Sequence, residues 1–322
     1  MALDFVAGCL GGCAGVLVGH PFDTVKVRLQ TQDPAKRLYK GTFECFRTIV
    51  AKESALGLYK GMASPLYGLA LINAIVFGVQ GNVQRRMANP DTLKSHFLAG
   101  ATAGLVQSVV CSPMELAKTR MQIQGQGESR TQFKSTKHLY TGPIDCLRKI
   151  YKAHGIPGVF KGFTLTVVRE TPSFGIYFAT YEYLCRKMVE QPDDDVSMLG
   201  LLMAGGFSGM ASWIATYPVD VIKSRIQADG GSGQNQYKNA YDCFQKSIKA
   251  EGHGCLWTGL NSTLLRAFPV NAATFTVVAL FLRSVRPSED ETMETISGHH
   301  HTKLGSEIHT VDRIAGATAT EI

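Results

Sequence analysis

The sequence lacks basic residues near its beginning and lacks any sign of a cysteine-based centre. No lysine or arginine occurs before Lys26. A cleavable mitochondrial presequence needs arginines on an amphipathic helix and a secretory signal needs a basic n-region, so we expect neither and expect the first helix to be retained. None of the eight cysteines is part of a C-x-x-C motif, so their spacing does not indicate a zinc or redox site.

The histidines give no indication of an enzyme. His20, His96, His154 and His253 fall at unrelated places in the chain, and none lies in a pattern that pairs a nucleophile with a base. The run His299–His301 could bind a metal ion, but a solvated tail is the simpler interpretation. We therefore expect no catalytic residue, no cofactor and no bound metal ion.

Long stretches of the chain carry no charge, yet the chain as a whole is not strongly apolar. The uncharged stretches are 5–22, 62–84, 97–114 and 196–219, and each is in the range of about 17–25 residues that a helix needs to cross a bilayer. The mean hydropathy is only +0.01, because glycine and polar residues interrupt these stretches. Such a composition indicates membrane helices that line an aqueous cavity.

One motif, Pro-x-acid-x-x-Lys-x-Arg-x-Gln, occurs three times. The copies lie at Pro21–Gln30, Pro113–Gln122 and Pro218–Gln227, each after a G-x-x-x-G. That spacing places two small residues on one helix face and lets neighbouring backbones approach closely. Because the basic residues follow the repeat and form no single patch, the formal net charge of +7 suits an anionic membrane surface better than a nucleic acid.

The motif is part of a longer repeat. Downstream of each copy a tyrosine stands six residues before a cysteine, and an aromatic residue then stands two residues before a glycine. A unit of this size cannot bury its apolar faces alone, so we expect three units to close around a pseudo-threefold axis. The predicted domains are repeat 1 at 1–92, repeat 2 at 93–194, repeat 3 at 195–286 and a disordered C-terminal tail at 287–322.

The expected fold class is an all-α membrane protein with six transmembrane helices in three tandem repeats. The predicted spans are 4–31, 66–87, 96–124, 165–187, 199–228 and 262–284. Between the two spans of each repeat, apolar residues at helical spacing predict a short amphipathic helix on the membrane surface. These three surface helices are expected at Thr42–Lys52, Pro143–Ala153 and Ala240–Ala250.

Three related hairpins, each with P-x-[DE]-x-x-[KR]-x-[KR] and then acid-Gly-x4-aromatic-basic-Gly, resemble the mitochondrial carrier family over residues 1–286. The resemblance implies a monomeric, multi-pass protein of the mitochondrial inner membrane, with the surface helices on the matrix side. An even number of spans places both termini in the intermembrane space. Three positions depart from the family pattern: Ser54 replaces a glycine, His154 an acid and Thr258 a base. We expect these departures to weaken single contacts and to leave the fold unchanged.

The acid of each motif copy can pair with the lysine of another copy, and pairing makes such charges tolerable inside a membrane. The expected pairs are Asp23–Lys118, Glu115–Lys223 and Asp220–Lys26. The resemblance implies that this ring is the matrix gate, braced by hydrogen bonds from Gln30, Gln122 and Gln227. A ring that only holds the helices together is the alternative.

The opposite, cytoplasmic gate is expected to be weak. The family pattern aromatic-acid-x-x-basic survives as Tyr181, Glu182 and, one residue late, Arg186, whereas the equivalent stretches 77–80 and 275–278 carry no charge. We therefore expect few ion pairs to stabilise the state closed to the cytoplasm, and we expect the resting state to be open to the cytoplasm.

Three charges break the symmetry of the repeats. Arg169 and Arg266 are repeat-equivalent, Gly68 holds the third such position, and Glu170 follows Arg169. Asymmetric charges within membrane helices indicate an asymmetric ligand. Two cations and one anion suit a zwitterion, whose carboxylate would bind the arginines and whose ammonium or guanidinium would bind the glutamate. An internal Arg–Glu pair that only fills the cavity is the alternative.

The stretch Arg169–Gly175 resembles the carrier subgroup for carnitine, ornithine and basic amino acids. It implies exchange or uniport of arginine, lysine, ornithine and histidine, and a carnitine/acylcarnitine carrier is the runner-up. A non-transporting membrane scaffold is a third possibility, although it would have no reason to retain the three charges. Asn73 and Trp213 are candidates to hydrogen-bond and stack on the substrate side chain, with core packing as the alternative.

Glycines at helix beginnings predict binding of anionic lipid. Backbone N–H groups are unpaired at a helix N-terminus, where phosphate binds well. The candidate cardiolipin residues are Gly41, Gly61, Gly142, Gly162 and Gly259. We expect the third repeat to hold the weakest site, because Asn239 and Thr258 replace the residues found in the other two.

Overall fold

The computed structural model describes residues 2–32, 38–124, 140–188, 198–230 and 236–285. The segment 287–322, for which the sequence predicts a disordered tail, lies outside the described residues. Within the described ranges the regular structure is entirely helical, as the sequence predicts.

Six long helices correspond to the six predicted spans, and every helix end lies within three residues of its predicted place. They are α1 (Ala2–Thr31), α3 (Ala63–Arg85), α4 (Leu93–Ile123), α6 (Phe163–Met188), α7 (Met198–Ala228) and α9 (Leu260–Val285). By length and composition, three helical segments of the described chain can cross a membrane. These segments are Ala55–Arg85, Leu93–Ile123 and His253–Phe281.

Three shorter helices lie between the two long helices of each repeat. They are α2 (Thr42–Glu53), α5 (Pro143–Val159) and α8 (Ala240–Glu251). Helix α5 is longer than predicted because it continues past a kink at Gly155, which has φ 65° and ψ −159°. Ser54 and Gly252 have a left-handed φ of 75° at the equivalent places. Ser54 thus adopts a conformation that glycine tolerates better.

The short helices hold the three repeat-equivalent cysteines. Cys45, Cys146 and Cys243 are fully buried against the motif helices. Burial raises the pKa of their thiols to about 12, 12 and 11 respectively. Because the thiolate is the reactive form, these cysteines serve packing, which is the role that the sequence favours.

The long helices form a ring. Helix α1 contacts α3 and α9, α4 contacts α3 and α6, and α7 contacts α6 and α9. The motif-bearing helices α1, α4 and α7 also contact one another. This convergence of three helices brings the charges of the three motif copies together.

Glycines position α6 against α4 in the second repeat. A Cβ atom on Gly104 would lie 2.5 Å from the carbonyl oxygen of Glu170, and one on Gly100 would lie 2.6 Å from that of Phe174. The G-x-x-x-G of this repeat therefore allows close backbone approach, as predicted. In the first repeat Gly8 has nothing within 4 Å, so the same spacing does not guarantee a tight contact.

Candidate functional site

The three motif copies form a ring of inter-repeat ion pairs, which we call the motif network. Lys118 Nζ lies 2.5 Å from Asp23 Oδ2, Lys26 Nζ lies 2.9 Å from Asp220 Oδ2, and Lys223 pairs with Glu115. Each pair joins two different helices among α1, α4 and α7. The ring therefore ties all three repeats together at one end of the helices, which we call the motif end.

Three glutamines are expected to brace the ion pairs, and one of them forms a hydrogen bond with an ion pair of the network. Gln30 Nε2 lies 3.3 Å from Asp220 Oδ2 and 3.2 Å from the hydroxyl of Tyr217. Gln122 instead donates to Thr24 Oγ1 at 3.2 Å, and Gln227 Nε2 has no hydrogen-bond partner. In this structure Gln122 and Gln227 therefore form no hydrogen bond with an ion pair of the network, and their bracing role stays a prediction.

A second layer of charge lies beyond the motif network, towards the short helices. The motif arginine Arg28 forms a two-point contact with Glu53, and Arg225 pairs with Glu251 at 2.6 Å. Burial raises the pKa of the Glu53 carboxyl, but hydrogen bonds and charge from Arg28 and Lys60 outweigh burial and hold that pKa below its ordinary value. These contacts tie α2 to α1 and α8 to α7.

The second repeat has no such acid, because His154 occupies the place and is exposed. Its motif arginine, Arg120, donates to the backbone carbonyl of Asp229. Lys161 Nζ lies 3.3 Å from Asp229 Oδ2 and 2.9 Å from the carbonyl oxygen of the same residue. The acid absent from repeat 2 is thus replaced by one from repeat 3, and an intra-repeat contact becomes an inter-repeat contact.

Sequence reasoning missed Asp229, although a signal was present. Asp229 stands eleven residues after Pro218, where the other repeats have Gln32 and Gln124. Each of those glutamines holds the backbone of a tyrosine through both amide atoms. Asp229 accepts hydrogen bonds from the backbone N–H groups of residues 236 and 237. Its carboxylate therefore holds the backbone at these two residues and also binds Lys161.

A cavity of about 150 Å³ adjoins the motif network, whose acids and lysines form part of its wall. Arg169, Glu170, Arg266 and Trp213 line it together with the network residues. All four are at least nine-tenths buried. The structure therefore brings the predicted substrate charges into one space, as a zwitterion site requires.

Both arginines are bound to acids of the motif network. Arg266 Nη1 lies 2.7 Å from Asp23 Oδ1, and Arg169 Nη2 lies 3.0 Å from Glu115 Oε1. Arg169 also pairs with Glu170, and its Nε lies 3.7 Å from Asp220 Oδ1. The internal pairing considered as the alternative is thus formed, and it extends into the motif network.

The site carries a net positive charge. Its cations are Lys26, Lys118, Lys223, Arg169 and Arg266, and its anions are Asp23, Glu115, Asp220 and Glu170. Five positive charges and four negative charges leave a formal excess of one positive charge. An incoming carboxylate would therefore meet a favourable field in a space of low dielectric.

The two uncharged residues predicted to contact the substrate, Trp213 and Asn73, differ in whether they line the cavity. Trp213 lines the cavity, with Lys26 Nζ 3.9 Å from its ring centre and Arg169 Cζ 5.4 Å away, so its face already holds cations. Asn73 is buried in α3 and is not among the residues that line this cavity. Its neighbour Ile72 takes that place, and a contact of Asn73 with substrate stays a prediction.

Two cavity residues on α4 escaped sequence reasoning. Gln107 donates from Nε2 to Glu170 Oε2 at 3.1 Å. Cys111 places its sulfur within 4.8 Å of carboxylate oxygens of Glu115 and Glu170. Lys223 and Arg169 already neutralise these carboxylates, so the group does not favour a metal ion.

The residues predicted for the cytoplasmic gate lie at the opposite end of the helices, the terminal end. Glu182 accepts a hydrogen bond of 2.7 Å from Arg186 on the same helix, and His96 Nε2 of α4 lies 3.8 Å away from it. The ring of Tyr181 stacks on that of Tyr177, also on α6. These contacts lie within the second repeat, whereas Arg186 also donates to the backbone carbonyl of Asp91 and His96 hydrogen-bonds Gln84 of α3 at 3.0 Å, and both of these partners belong to the first repeat.

The glycines predicted to bind lipid lie at helix beginnings. Gly61, Gly162 and Gly259 have left-handed φ of +83°, +86° and +87° just before α3, α6 and α9. Gly41 and Gly142 begin α2 and α5 without a side-chain cap. At the third equivalent place, Asn239 caps α8 by accepting from the N–H of Asp242 at 2.8 Å, which uses one of the free N–H groups.

Comparison with known proteins gives a consistent answer. The family description "Mitochondrial carrier protein" matches residues 1–91, 89–192 and 194–288. The chain is 56% identical over 289 residues to the mitochondrial basic amino acids transporter of Bos taurus, covering 90% of this chain and 94% of that protein. It is 55% identical to the protein of that name from Homo sapiens, covering 90% and 92%. It is 37% identical over 303 residues to the mitochondrial arginine transporter BAC2 of Arabidopsis thaliana, covering 89% and 94%. The chain belongs to the mitochondrial carrier family.

Proposed function

We propose that this protein transports basic amino acids, namely arginine, lysine, ornithine and histidine, across the mitochondrial inner membrane by alternating access. The observation that carries the proposal is that Arg169 and Arg266 are bound to the acids of the gate. The same arginines are placed to bind the carboxylate of a substrate. The names of the relatives, which include basic amino acids and arginine, agree with this assignment.

Substrate binding would act on the gate through these arginines. A carboxylate that binds Arg169 and Arg266 competes with Glu115 and Asp23 for the same guanidinium groups. Each of those acids then has only its lysine partner, so the motif network becomes weaker. A ligand shifts a conformational equilibrium only by its differential affinity for the two states, and shared arginines provide that difference.

The cation of the substrate would bind at Glu170. This carboxylate is buried and held by Arg169 and by Gln107. When the substrate carboxylate takes Arg169, Glu170 loses its cationic partner and needs another. An ammonium or guanidinium group meets that need, because a buried carboxylate without a partner is costly.

The architecture follows the same proposal. The six long helices are the spans, three repeats at 1–92, 93–194 and 195–286 surround the cavity, and both termini face the intermembrane space. The motif network is then the matrix gate, and the cluster of Tyr181, Glu182 and Arg186 is a weak cytoplasmic gate. Ion pairs that cross repeats at the motif end, against ion pairs within one repeat at the terminal end, support this assignment.

Cardiolipin is the proposed lipid partner, and the transporting unit is a monomer. The uncapped helix beginnings at Gly41 and Gly142 present backbone N–H groups to phosphate. Cardiolipin should raise the melting temperature of the purified protein more than a neutral lipid does. Equal shifts with both lipids would contradict the lipid proposal and leave the transport proposal untouched.

The transport proposal is tested by uptake into liposomes. Purified protein is compared for uptake of labelled arginine, lysine, ornithine and carnitine, with empty liposomes as the control. We expect uptake of the three amino acids and much slower uptake of carnitine. Dominant carnitine uptake would favour the carnitine carrier, and no uptake of any of the four would contradict the proposal.

A further inference from the structure

Gln107, in the wall of the cavity, has a buried acceptor without a hydrogen-bond partner. The side chain of Gln107 is 2% exposed, and its Oε1 atom makes no hydrogen bond. Its other amide atom, Nε2, donates to Glu170. Leaving a buried polar atom unpaired is unfavourable, so this atom calls for an explanation.

The orientation of the amide is fixed by its neighbour. An amide oxygen turned towards the Glu170 carboxylate would place two acceptors together, so Nε2 must face Glu170 and Oε1 must face away from it. Gln107 lines the cavity that also holds Arg169 and Arg266. The result is a second acceptor beside the carboxylate that is proposed to receive the substrate cation.

Gln107 also breaks the symmetry of the repeats. It stands six residues before Pro113, where the other repeats have Gly15 and Ser212. The hydroxyl of Ser212 is satisfied by the carbonyl oxygen of Gly209 at 2.9 Å. Of these three residues, Gln107 alone has a side-chain acceptor without a partner and lines the cavity, and repeat 2 also supplies Glu170.

We infer that Gln107 is a specificity-determining residue that accepts an N–H hydrogen bond from the side-chain cation of the substrate, next to its ion pair with Glu170. This inference rests on the proposed function. The carboxylate supplies charge, which any cation satisfies, whereas the amide oxygen requires an N–H donor. The pair therefore distinguishes an ammonium or guanidinium group from a quaternary ammonium group of equal charge.

The test is a competition series in liposomes. Uptake of labelled arginine is inhibited by lysine and by lysines carrying one, two or three methyl groups on the side-chain nitrogen. These competitors keep the positive charge and lose N–H donors stepwise. In the wild-type protein we expect the inhibition constant to rise about ten-fold from lysine to trimethyllysine, which corresponds to about 1.4 kcal/mol.

The variant Gln107→Leu should reduce the difference in inhibition constant between lysine and its methylated forms. We expect the inhibition constant of lysine to rise about ten-fold and that of trimethyllysine to change less than two-fold. Ser212→Ala is the matched control at the same level in repeat 3, and its series should follow the wild-type series. A nearly unchanged inhibition constant for trimethyllysine also serves as the internal check that the variant is folded, because an unfolded protein would bind neither competitor.

A parallel loss for lysine and trimethyllysine would show that Gln107 only positions Glu170 and would overturn the inference. An unchanged lysine value in Gln107→Leu would overturn it as well. Absence of arginine uptake by the wild-type protein would contradict the proposed function itself. Failure of the inference and failure of the proposed function are therefore separate results.

Discussion

The motif end and the terminal end of the molecule hold charge in different ways. At the motif end, three lysines and three acids pair across repeats, and two arginines join the same acids from the cavity side. At the terminal end, Glu182 contacts Arg186 and His96, all within repeat 2. Ion pairs between repeats resist their separation, whereas the contacts that join repeats 1 and 2 at the terminal end are hydrogen bonds, from Arg186 to the carbonyl of Asp91 and between Gln84 and His96.

This difference indicates where transport should be sensitive to mutation. Charges at the motif end are buried, and breaking one pair leaves an uncompensated ion in a low-dielectric site. The Glu182–Arg186 pair is partly exposed and lies at i,i+4 on one helix, where such pairs contribute about 0.3–0.5 kcal/mol. The substitutions that follow break one end or the other.

The largest effect is expected from Arg266→Ala. Arg266 binds Asp23 and lines the cavity, so its loss removes both a carboxylate ligand and a link to the gate. Uptake of arginine and lysine into liposomes should fall to the level of empty liposomes. A variant that melts near the wild-type temperature and still transports would show that Arg266 is not the carboxylate ligand.

A smaller loss is expected from Glu170→Gln, which keeps shape and hydrogen bonding and removes the negative charge. The substrate cation loses its counter-ion, so uptake of arginine and lysine should fall at least ten-fold, which corresponds to about 1.4 kcal/mol. The measurement is the initial uptake rate in liposomes. A wild-type rate would mean that Glu170 is a structural partner of Arg169 and would contradict the zwitterion site.

Asp229→Asn should weaken the motif end without touching the cavity. The variant keeps an acceptor for the backbone N–H groups and loses the charge that pairs with Lys161. We expect the melting temperature to fall by about 2–4 °C, corresponding to about 1 kcal/mol. Adding His154→Glu, which restores the acid found at Glu53 and Glu251, should recover part of the loss. No recovery would mean that Asp229 does not substitute for the acid absent at position 154.

The smallest effect is expected at the terminal end. Glu182→Gln removes the charge shared by Arg186 and His96. Because those contacts lie within one repeat, the arginine uptake rate should change less than two-fold. A ten-fold change would show that the terminal end carries a gate comparable with that of the motif end.

The repetition in the sequence was sufficient to predict the helices, and the fold implied by the family resemblance gave the partners of the charge ring. Each motif copy has an acid and, three residues later, a lysine. Around a closed ring of three copies, these charges can pair in few ways. The helix ends followed from glycines, prolines and uncharged runs. The positions of Arg169 and Arg266 in the cavity also followed, because both occupy the same repeat position, where repeat 1 has Gly68.

Contacts that depend on one residue meeting one particular neighbour could not be predicted. Gln30 reaches an ion pair beside Tyr217, while Gln227 does not, although the motif writes both identically. Asp229 replaces an acid that is distant in sequence and belongs to another repeat. The binding of Arg169 and Arg266 to the gate acids depends on side-chain reach, which spacing along the chain does not specify.

The central claim is that the motif network is the gate that substrate opens, and a charge exchange tests it most directly. The pair Lys26–Asp220 is the best choice because Arg169 lies 3.7 Å from Asp220, farther than the arginines lie from Asp23 and Glu115. Lys26→Asp and Asp220→Lys are made singly and together, and arginine uptake into liposomes is measured. Each single change should reduce uptake severely, and the double change should restore part of it. Uptake by the double variant no better than that of the worse single variant would contradict the claim.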